Sequence, residues 1–129
     1  MSKQLLALAA VCGVIAFMSS VRAEEERLTA EQEAVVREFK IEREGKVDHG
    51  EWLRAVSAEE VAIDAERDGK RGELWHPVLA RLKKDLEKYQ AGKMAPVDMR
   101  EHIAQVKENH PLLYHRLVTR VNAYRLEHR

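Results

Sequence analysis

"REGKVDHGEWL", residues 43–53, combines a glycine, a valine two positions later and a glutamate that opens an apolar run. Gly45 tolerates the left-handed backbone conformation that ends many helices, so it predicts the end of a first helix. Glu51 is favoured at a helix start, where the helix dipole attracts negative charge, and Trp52 begins the next apolar stripe. The stretch therefore predicts a helix–turn–helix unit with Val47 turned inward.

A similar arrangement recurs 47 residues later, at "QAGKMAPVDMR", residues 90–100. The matching positions are Gly45 and Gly92, Lys46 and Lys93, Val47 and Met94, Glu51 and Asp98, and Trp52 and Met99. An ancient duplication explains this echo, and so does convergence of two helix–turn–helix units. Either way, each copy predicts a glycine turn, an inward apolar residue and an acidic helix start.

Two helices are predicted around the opening stretch. Thr29 and Gln32 form a capping box, in which a hydroxyl and an amide exchange hydrogen bonds with free backbone N–H groups. The first helix is therefore expected to begin there and to end at Gly45. The second is expected to open near Gly50, and a further capping box, "SAEE" at residues 57–60, allows it to break and restart.

Three more helices follow a charged turn predicted at residues 66–73. Pro77 suits the first position of the third helix, because its missing N–H would be unpaired there anyway, and Gly92 ends it. The fourth helix covers residues 97–109, and Pro111 opens the fifth. No segment has the alternating pattern of a strand. The sequence predicts an all-α fold, a compact bundle of about five helices built from two helix–turn–helix units.

The N-terminus has the pattern of a secretory signal peptide. Lys3 precedes an apolar run, and Val21 and Ala23 occupy the small-residue positions of a cleavage site. We expect residues 1–23 to be removed, which leaves one helical domain at residues 24–129. The apolar run is short of the roughly 20 residues of a membrane span, so no stable membrane insertion is expected after cleavage. The predicted location is extracellular, or periplasmic if the source is bacterial.

Charge and residue content exclude several classes of function. The chain has 22 basic and 22 acidic residues, and signal removal takes away Lys3 and Arg22 but no acid, leaving a formal net charge of −2. Nucleic-acid binding, which needs a basic surface, is therefore not expected. The only cysteine, Cys12, is in the signal peptide, and Ser57 is the one serine after it. Without a nucleophile motif or a phosphate loop, the chain is predicted not to be an enzyme, and a secreted enzyme ranks third among the alternatives.

The opening stretch also resembles the calcium-binding loop of an EF-hand. Counted from Lys40, twelve residues place a glycine sixth and a glutamate twelfth, as such loops require. The carboxylates at the third, fifth, ninth and twelfth positions are Glu42, Glu44, Asp48 and Glu51. An EF-hand has aspartate first, however, and the ammonium of Lys40 repels a cation. The loop is predicted to be a turn in the first place and a weak Ca²⁺ or Mg²⁺ site in the second, with no other cofactor.

Residues 92–117, "GKMAPVDMREHIAQVKENHPLLYHRL", resemble the nematode SXP/RAL family of secreted helical antigens. The shared rhythm is an apolar residue, an acid-bearing helix start and a polar–proline turn into a last helix. The corresponding positions are Met94, Met99, Ile103, Val106 and Pro111. This resemblance implies a calmodulin-like helical protein that binds divalent ions weakly and meets host tissue or immunity.

"LTAEQ", residues 28–32, is similar to the LTxxQ signature of the Spy-like periplasmic chaperones. That resemblance implies a periplasmic protein whose apolar concave face binds clients. Two functions therefore stay open. The first is a small secreted helical binding protein, non-catalytic, whose partner is another protein or an apolar ligand. The alternative is a periplasmic helical chaperone or stress-response protein.

Overall fold

The structure is a computed structural model that describes residues 26–66 and 69–127. The predicted signal peptide, residues 1–23, lies outside these ranges. The all-α prediction is confirmed, with one small sheet added. In chain order the elements within the described ranges are α1 (Ala30–Glu38), β1 (Glu42–Arg43), β2 (Lys46–Val47), α2 (His49–Glu66), α3 (Gly69–Gln90), α4 (Pro96–Asn109) and α5 (Pro111–Glu127).

Helices α2 to α5 form a ring around the core. Helix α2 packs against α3 and α5, and α4 packs against the same two helices, while α1 lies on α5. The start of α2 meets the end of α3, where the Val47 N–H donates to the hydroxyl of Tyr89. The end of α2 meets the start of α3, where the Arg71 guanidinium binds the Glu66 carboxylate. Neighbours in the ring therefore run antiparallel, as the short connections predicted.

The apolar stripes of all five helices meet in one core. Its largest fully buried side chains are Trp52, Trp75 and Tyr114, and the ring of Phe39 lies edge-on to Trp52 at 5.8 Å between centroids. Burying a side chain of leucine or phenylalanine size contributes about 1.5–3 kcal/mol relative to leaving it exposed. On the third helix the sequence predicts one apolar stripe, because apolar side chains recur at helical spacing from Trp75 to Tyr89. That stripe is buried from Trp75 to Leu86, and Tyr89 packs against its edge.

Helix α1 begins as predicted and ends earlier. The Thr29 hydroxyl accepts the Gln32 N–H at 3.2 Å, and the Gln32 side chain accepts the Thr29 N–H at 2.9 Å, which completes the capping box. The helix stops at Glu38, so the prediction that it continues to Gly45 is wrong. The chain becomes extended at Phe39, which lets that ring pack inward before a hairpin begins.

The prediction that the chain contains no strand is wrong at residues 42–47. Strands β1 and β2 pair antiparallel, with Glu42 opposite Val47 and Arg43 opposite Lys46. Glu44 and Gly45 connect them with φ angles of 55° and 77°. Positive φ at both positions is the signature of a type I′ turn, whose twist suits a two-residue hairpin. Gly45 therefore turns a hairpin instead of ending a helix.

Two expected interruptions in the middle of the chain are absent from the described helices. Helix α2 runs through residues 57–60 without a break, and Glu59 within this stretch binds two arginines of α5. Helix α3 begins at Gly69, so Pro77 lies inside it and is not its first residue, and residues 69–73 are helical. Pro77 removes one intrahelical hydrogen bond. The buried Trp75 before it and the buried core residues after it still hold the helix against the bundle.

Candidate functional site

The predicted calcium loop is a hairpin followed by a capped helix. Each of the four predicted ligands has a different environment in the structure. The Glu42 carboxylate accepts from the Arg100 guanidinium at 2.7 Å, and that of Glu51 accepts from Arg125 at 3.1 Å. The Asp48 side chain accepts the Glu51 N–H at 3.3 Å and so caps α2, while Glu44 is exposed at the tip of the turn.

These placements do not bring the four carboxylates together around one point. Within residues 26–66 and 69–127, no group of three or more histidine, aspartate or glutamate side chains is arranged to hold a metal ion. Two of the predicted ligands are also neutralised by arginines, which would have to leave before a cation could bind. Ca²⁺ or Mg²⁺ binding at Glu42, Glu44, Asp48 and Glu51 remains a prediction, and calorimetric titration with each ion tests it.

The two turns that echo each other in sequence lie at the same end of the bundle. Gly45 and Gly92 have φ angles of 77° and 75°, so both use the left-handed conformation that favours glycine. Before Gly92, however, the chain is the last turn of α3, closed by a hydrogen bond from the Lys93 N–H to the Lys88 carbonyl at 2.8 Å. The two copies therefore share the turn and the segment after it, and differ in the segment before it.

The segments after the two turns are packed alike. Val47 is buried after the first turn, and Met94 packs against the core after the second. Trp52 and Met99, at matching positions in the next helices, are both fully buried. The helix starts differ, since Glu51 binds Arg125 while the matching acid of α4 is exposed.

Tyr89 joins the two turns. It lies near the end of α3, and its hydroxyl accepts the Val47 N–H at 3.2 Å. In a two-residue hairpin with this register, Val47 belongs to the pair that exchanges no hydrogen bonds with the opposite strand, so its N–H points outward. The His49 ring contacts the Tyr89 ring edge-on, with 6.1 Å between centroids. Tyr89 therefore holds the hairpin against the start of the second turn.

Between the turns lies an open cleft of about 970 Å³, which we name the inter-turn cleft. Both polar and apolar side chains line it. The apolar part includes Val47 and Met94, with the ring of Tyr89 between them. The cationic part comprises Arg43, Lys46 and Lys93, and the acidic part comprises Glu44 and Asp48. A concave surface with both kinds of group is typical of a ligand site.

A second cleft, of about 730 Å³, lies between α1, the hairpin and the end of α5. Val35, Phe39 and Leu126 give it apolar surface, and Leu126 is 61% exposed. Arg125 crosses it, with its guanidinium 4.6 Å from the centre of the Phe39 ring and a hydrogen bond to the Lys40 carbonyl. This cleft is therefore a groove that Arg125 bridges.

The opposite end of the bundle carries a network of buried ionic side chains, which we name the charged cluster. Glu59 is 1% exposed, and its two carboxylate oxygens lie 2.9 Å from Arg116 Nε and 2.9 Å from Arg120 Nε. Arg116 also binds Glu66 at 2.6 Å. The full cluster is Glu26, Glu59, Glu66, Trp75, His110, Arg116 and Arg120.

The second half of this cluster is built around Glu26. This residue is 3% exposed, accepts the indole N–H of Trp75 at 3.0 Å and lies 3.2 Å from His110 Nδ1. None of these contacts was predicted from the sequence. His110 directly precedes Pro111 at a helix start, where turn chemistry is enough to explain it, and an acid four residues before the first helix gives no signal of its own.

The burial of Glu59, by contrast, is predictable from its position in the sequence. It lies on the stripe of Trp52, Val56 and Ile63, at helical spacing, so a glutamate faces the core. A buried carboxylate needs a cationic partner, and Arg116 and Arg120 are one turn apart on α5.

The contacts of the cluster shift the pKa of Glu66 and of Arg116. The hydrogen bond from Arg116 lowers the pKa of Glu66, although burial acts in the other direction. Burial by itself would lower the pKa of Arg116, but its hydrogen bonds with Glu66 and Glu59 raise it overall. Each partner thus holds the other in its charged form, which is typical of a structural ion-pair network.

Comparison of the chain with protein-family models, with curated proteins and with solved structures finds no match. No helix in the described part of the chain is long and apolar enough to cross a membrane. The basis for inferring a function is therefore the geometry of the clefts.

Proposed function

We propose that the chain is a small secreted binding protein, non-catalytic, whose ligand site is the inter-turn cleft. The observation that carries this proposal is the convergence of two equivalent turns, at Gly45 and Gly92, on one concave surface. The volume of about 970 Å³ falls at the upper end of the roughly 300–1,000 Å³ of ligand pockets.

The architecture supports a site that is rigid at its base and open at its rim. Tyr89 and Val47 are fixed to each other and to the core, while the side chains of Lys46 and Lys93 at the rim are exposed. A preformed base lowers the entropy cost of binding. The ligand expected here is a segment of another protein, since the cleft is open and combines charge with apolar surface.

The experiment that tests this site is peptide selection by display, with the mature chain as bait. The blocking variant is Met94→Trp, which fills the cleft with a larger side chain. The matched control is Leu126→Trp, which puts the same side chain in the second cleft. We expect the selected peptides to lose binding by about tenfold or more with Met94→Trp and to keep it with Leu126→Trp.

Two results would contradict the proposal: no peptide is enriched, or the enriched peptides bind both variants as well as the parent. Circular dichroism melting of each variant confirms that a loss of binding is not a loss of fold. Secretion is tested separately, because cleavage after Ala23 gives a mature protein that begins at Glu24, which N-terminal mass spectrometry detects.

The second cleft favours one alternative function, a periplasmic helical chaperone. Its apolar residues Val35, Phe39 and Leu126 offer a surface for an unfolded client. In a light-scattering assay with an aggregating client, a chaperone suppresses aggregation at equimolar protein, and Leu126→Glu weakens that suppression. Unchanged aggregation with the parent chain argues against this alternative.

A further inference from the structure

The cationic side chains of the inter-turn cleft form no close ion pair with an acidic residue in the described part of the chain. Lys46 and Lys93 follow the two positive-φ glycines at matching positions, and both are exposed at the cleft. Within the described part of the chain, neither lysine makes an ion pair or a side-chain hydrogen bond. Arg43 approaches Glu51 only at 3.9 Å. The cleft therefore presents three cations that the fold does not neutralise closely.

The acidic residues that line the same cleft neutralise only part of this positive charge. Asp48 is engaged at the start of α2, where its carboxylate accepts the Glu51 N–H. Glu44 is exposed at the tip of the hairpin, at the edge of the cleft. Elsewhere along the hairpin, Glu42 is taken by Arg100. An approaching anion therefore finds more available positive than negative charge, beside the low-dielectric surface of Tyr89 and Met94.

We propose that the inter-turn cleft binds an acidic peptide segment of a partner protein. Carboxylates of the segment pair with Lys46 and Lys93, and an apolar side chain between them packs on Met94 and Tyr89. This inference rests on the proposed function of the cleft and adds the chemistry of its ligand.

A small phosphate is a poorer fit to the same surface. Phosphate sites usually offer several free backbone N–H groups at a helix start. Here the Asp48 carboxylate already caps α2, and the Val47 N–H is bound to Tyr89. The start of α4 also lines the cleft, but Pro96 has no N–H there and the Asp98 N–H donates to a backbone carbonyl. Two lysines on separate turns instead suit carboxylates spaced along a chain, and the apolar lining needs an apolar part of the ligand.

The test is a fluorescence anisotropy titration of the mature chain with a labelled peptide that alternates glutamate and leucine. The probe variant is the double substitution Lys46→Glu and Lys93→Glu. The matched control is Lys84→Glu with Lys107→Glu, two lysines that do not line the inter-turn cleft, with the same change in net charge. We expect about a tenfold or greater loss of affinity for the probe variant and about twofold or less for the control.

Two further peptides in the same titration identify the chemical group that the cleft recognises. A peptide with glutamine in place of glutamate should bind weakly, and a lysine–leucine peptide should bind the Lys46→Glu, Lys93→Glu variant better than the parent. Equal binding of the glutamine peptide, or an equal loss in the control variant, overturns the acidic-peptide inference. Lysine-dependent binding to phosphatidylserine vesicles without peptide binding also overturns it, in favour of an anionic membrane surface.

Failure of this inference is distinguishable from failure of the proposed function. If display selects peptides without acids that still lose binding with Met94→Trp, the cleft is a ligand site and its acidic specificity is wrong. If no selected or designed peptide is sensitive to Met94→Trp, the cleft itself is not the site and both are wrong.

Discussion

At the turn end of the bundle, Lys46 and Lys93 face solvent and have no acidic partner among the described residues, whereas at the opposite end the carboxylate of Glu59 is buried between two arginines. Both ends carry basic and acidic side chains. The difference is that the charged cluster uses its charges within the chain, while the inter-turn cleft leaves them for something outside it. Stability should therefore respond to the first region and ligand binding to the second.

The largest effect is expected from Glu59→Ala. The substitution leaves Arg116 and Arg120 without their shared carboxylate, and breaking a buried ion pair in this way costs about 3–5 kcal/mol. Both arginines reach solvent in part, so we expect about 3 kcal/mol, measured by urea unfolding at pH 7. The control Glu108→Ala, at an exposed site on α4, should change stability by less than about 0.5 kcal/mol. Similar losses in both variants would contradict a distinct role for the cluster.

The two tryptophans allow the ends to be compared with one substitution. The indole N–H of Trp75 donates to the buried Glu26, whereas that of Trp52 is buried and has no hydrogen-bond partner among the described residues. Trp→Phe removes similar volume at both sites, but only Trp75→Phe also leaves a buried acceptor short of a donor. We expect Trp75→Phe to cost about 1.5 kcal/mol more than Trp52→Phe, as judged by urea unfolding followed by circular dichroism. Equal costs would mean that the Glu26 contact contributes nothing to stability.

At the turn end, the backbone should matter more than the side chains. An alanine at Gly45 or Gly92 meets no atom within 4 Å, so its cost is that of the left-handed backbone, about 1–2 kcal/mol. If the two turns are equivalent, Gly45→Ala and Gly92→Ala lose the same stability within about 0.5 kcal/mol in thermal unfolding. A large loss at only one glycine would show that the sequence echo does not extend to energetics.

The smallest effect on stability is expected from the ionisation of Glu66, which makes the free energy of unfolding depend on pH. Because Arg116 lowers the pKa of Glu66 in the folded chain, its ionised form stabilises the fold above the ordinary value of 4.5. That contribution is lost as the pH falls below 4.5 and through the lowered folded value. Glu66→Gln should therefore lower stability at pH 7 and flatten its decline below about pH 4.5, in urea unfolding from about pH 7 to about pH 3. A parent and a variant with parallel profiles would show that this pair does not contribute.

Local signals were sufficient for much of the fold. The capping box at Thr29, the proline at Pro111 and the apolar stripe from Trp75 depend on neighbours within a few positions, and the structure confirms them. The failures arose where a distant residue decided the outcome. Residues 57–60 continue α2, where Glu59 binds arginines about 60 residues away, and Pro77 lies inside α3 because the core holds both sides of that helix.

The candidate site was predictable in part. The matched glycine–lysine turns at Gly45 and Gly92 were visible as a sequence echo, but nothing local indicated that they face one cleft. The four predicted metal ligands were visible as a run of acids with loop spacing. The pairing of Glu42 with Arg100 and of Glu51 with Arg125 was not accessible, because those arginines lie on other helices.

The sequence by itself determined the helical class, most helix starts and the two left-handed turns, because capping, periodicity and glycine conformation are local properties of the chain. Only the tertiary structure decided how the acids are used. Whether Glu59 is buried in a network, Glu42 is neutralised or Lys46 is left unpaired depends on which helix lies opposite. Ionic contacts act through space between distant residues, so these depend on the packing of α5 against α2 and of the hairpin against α4.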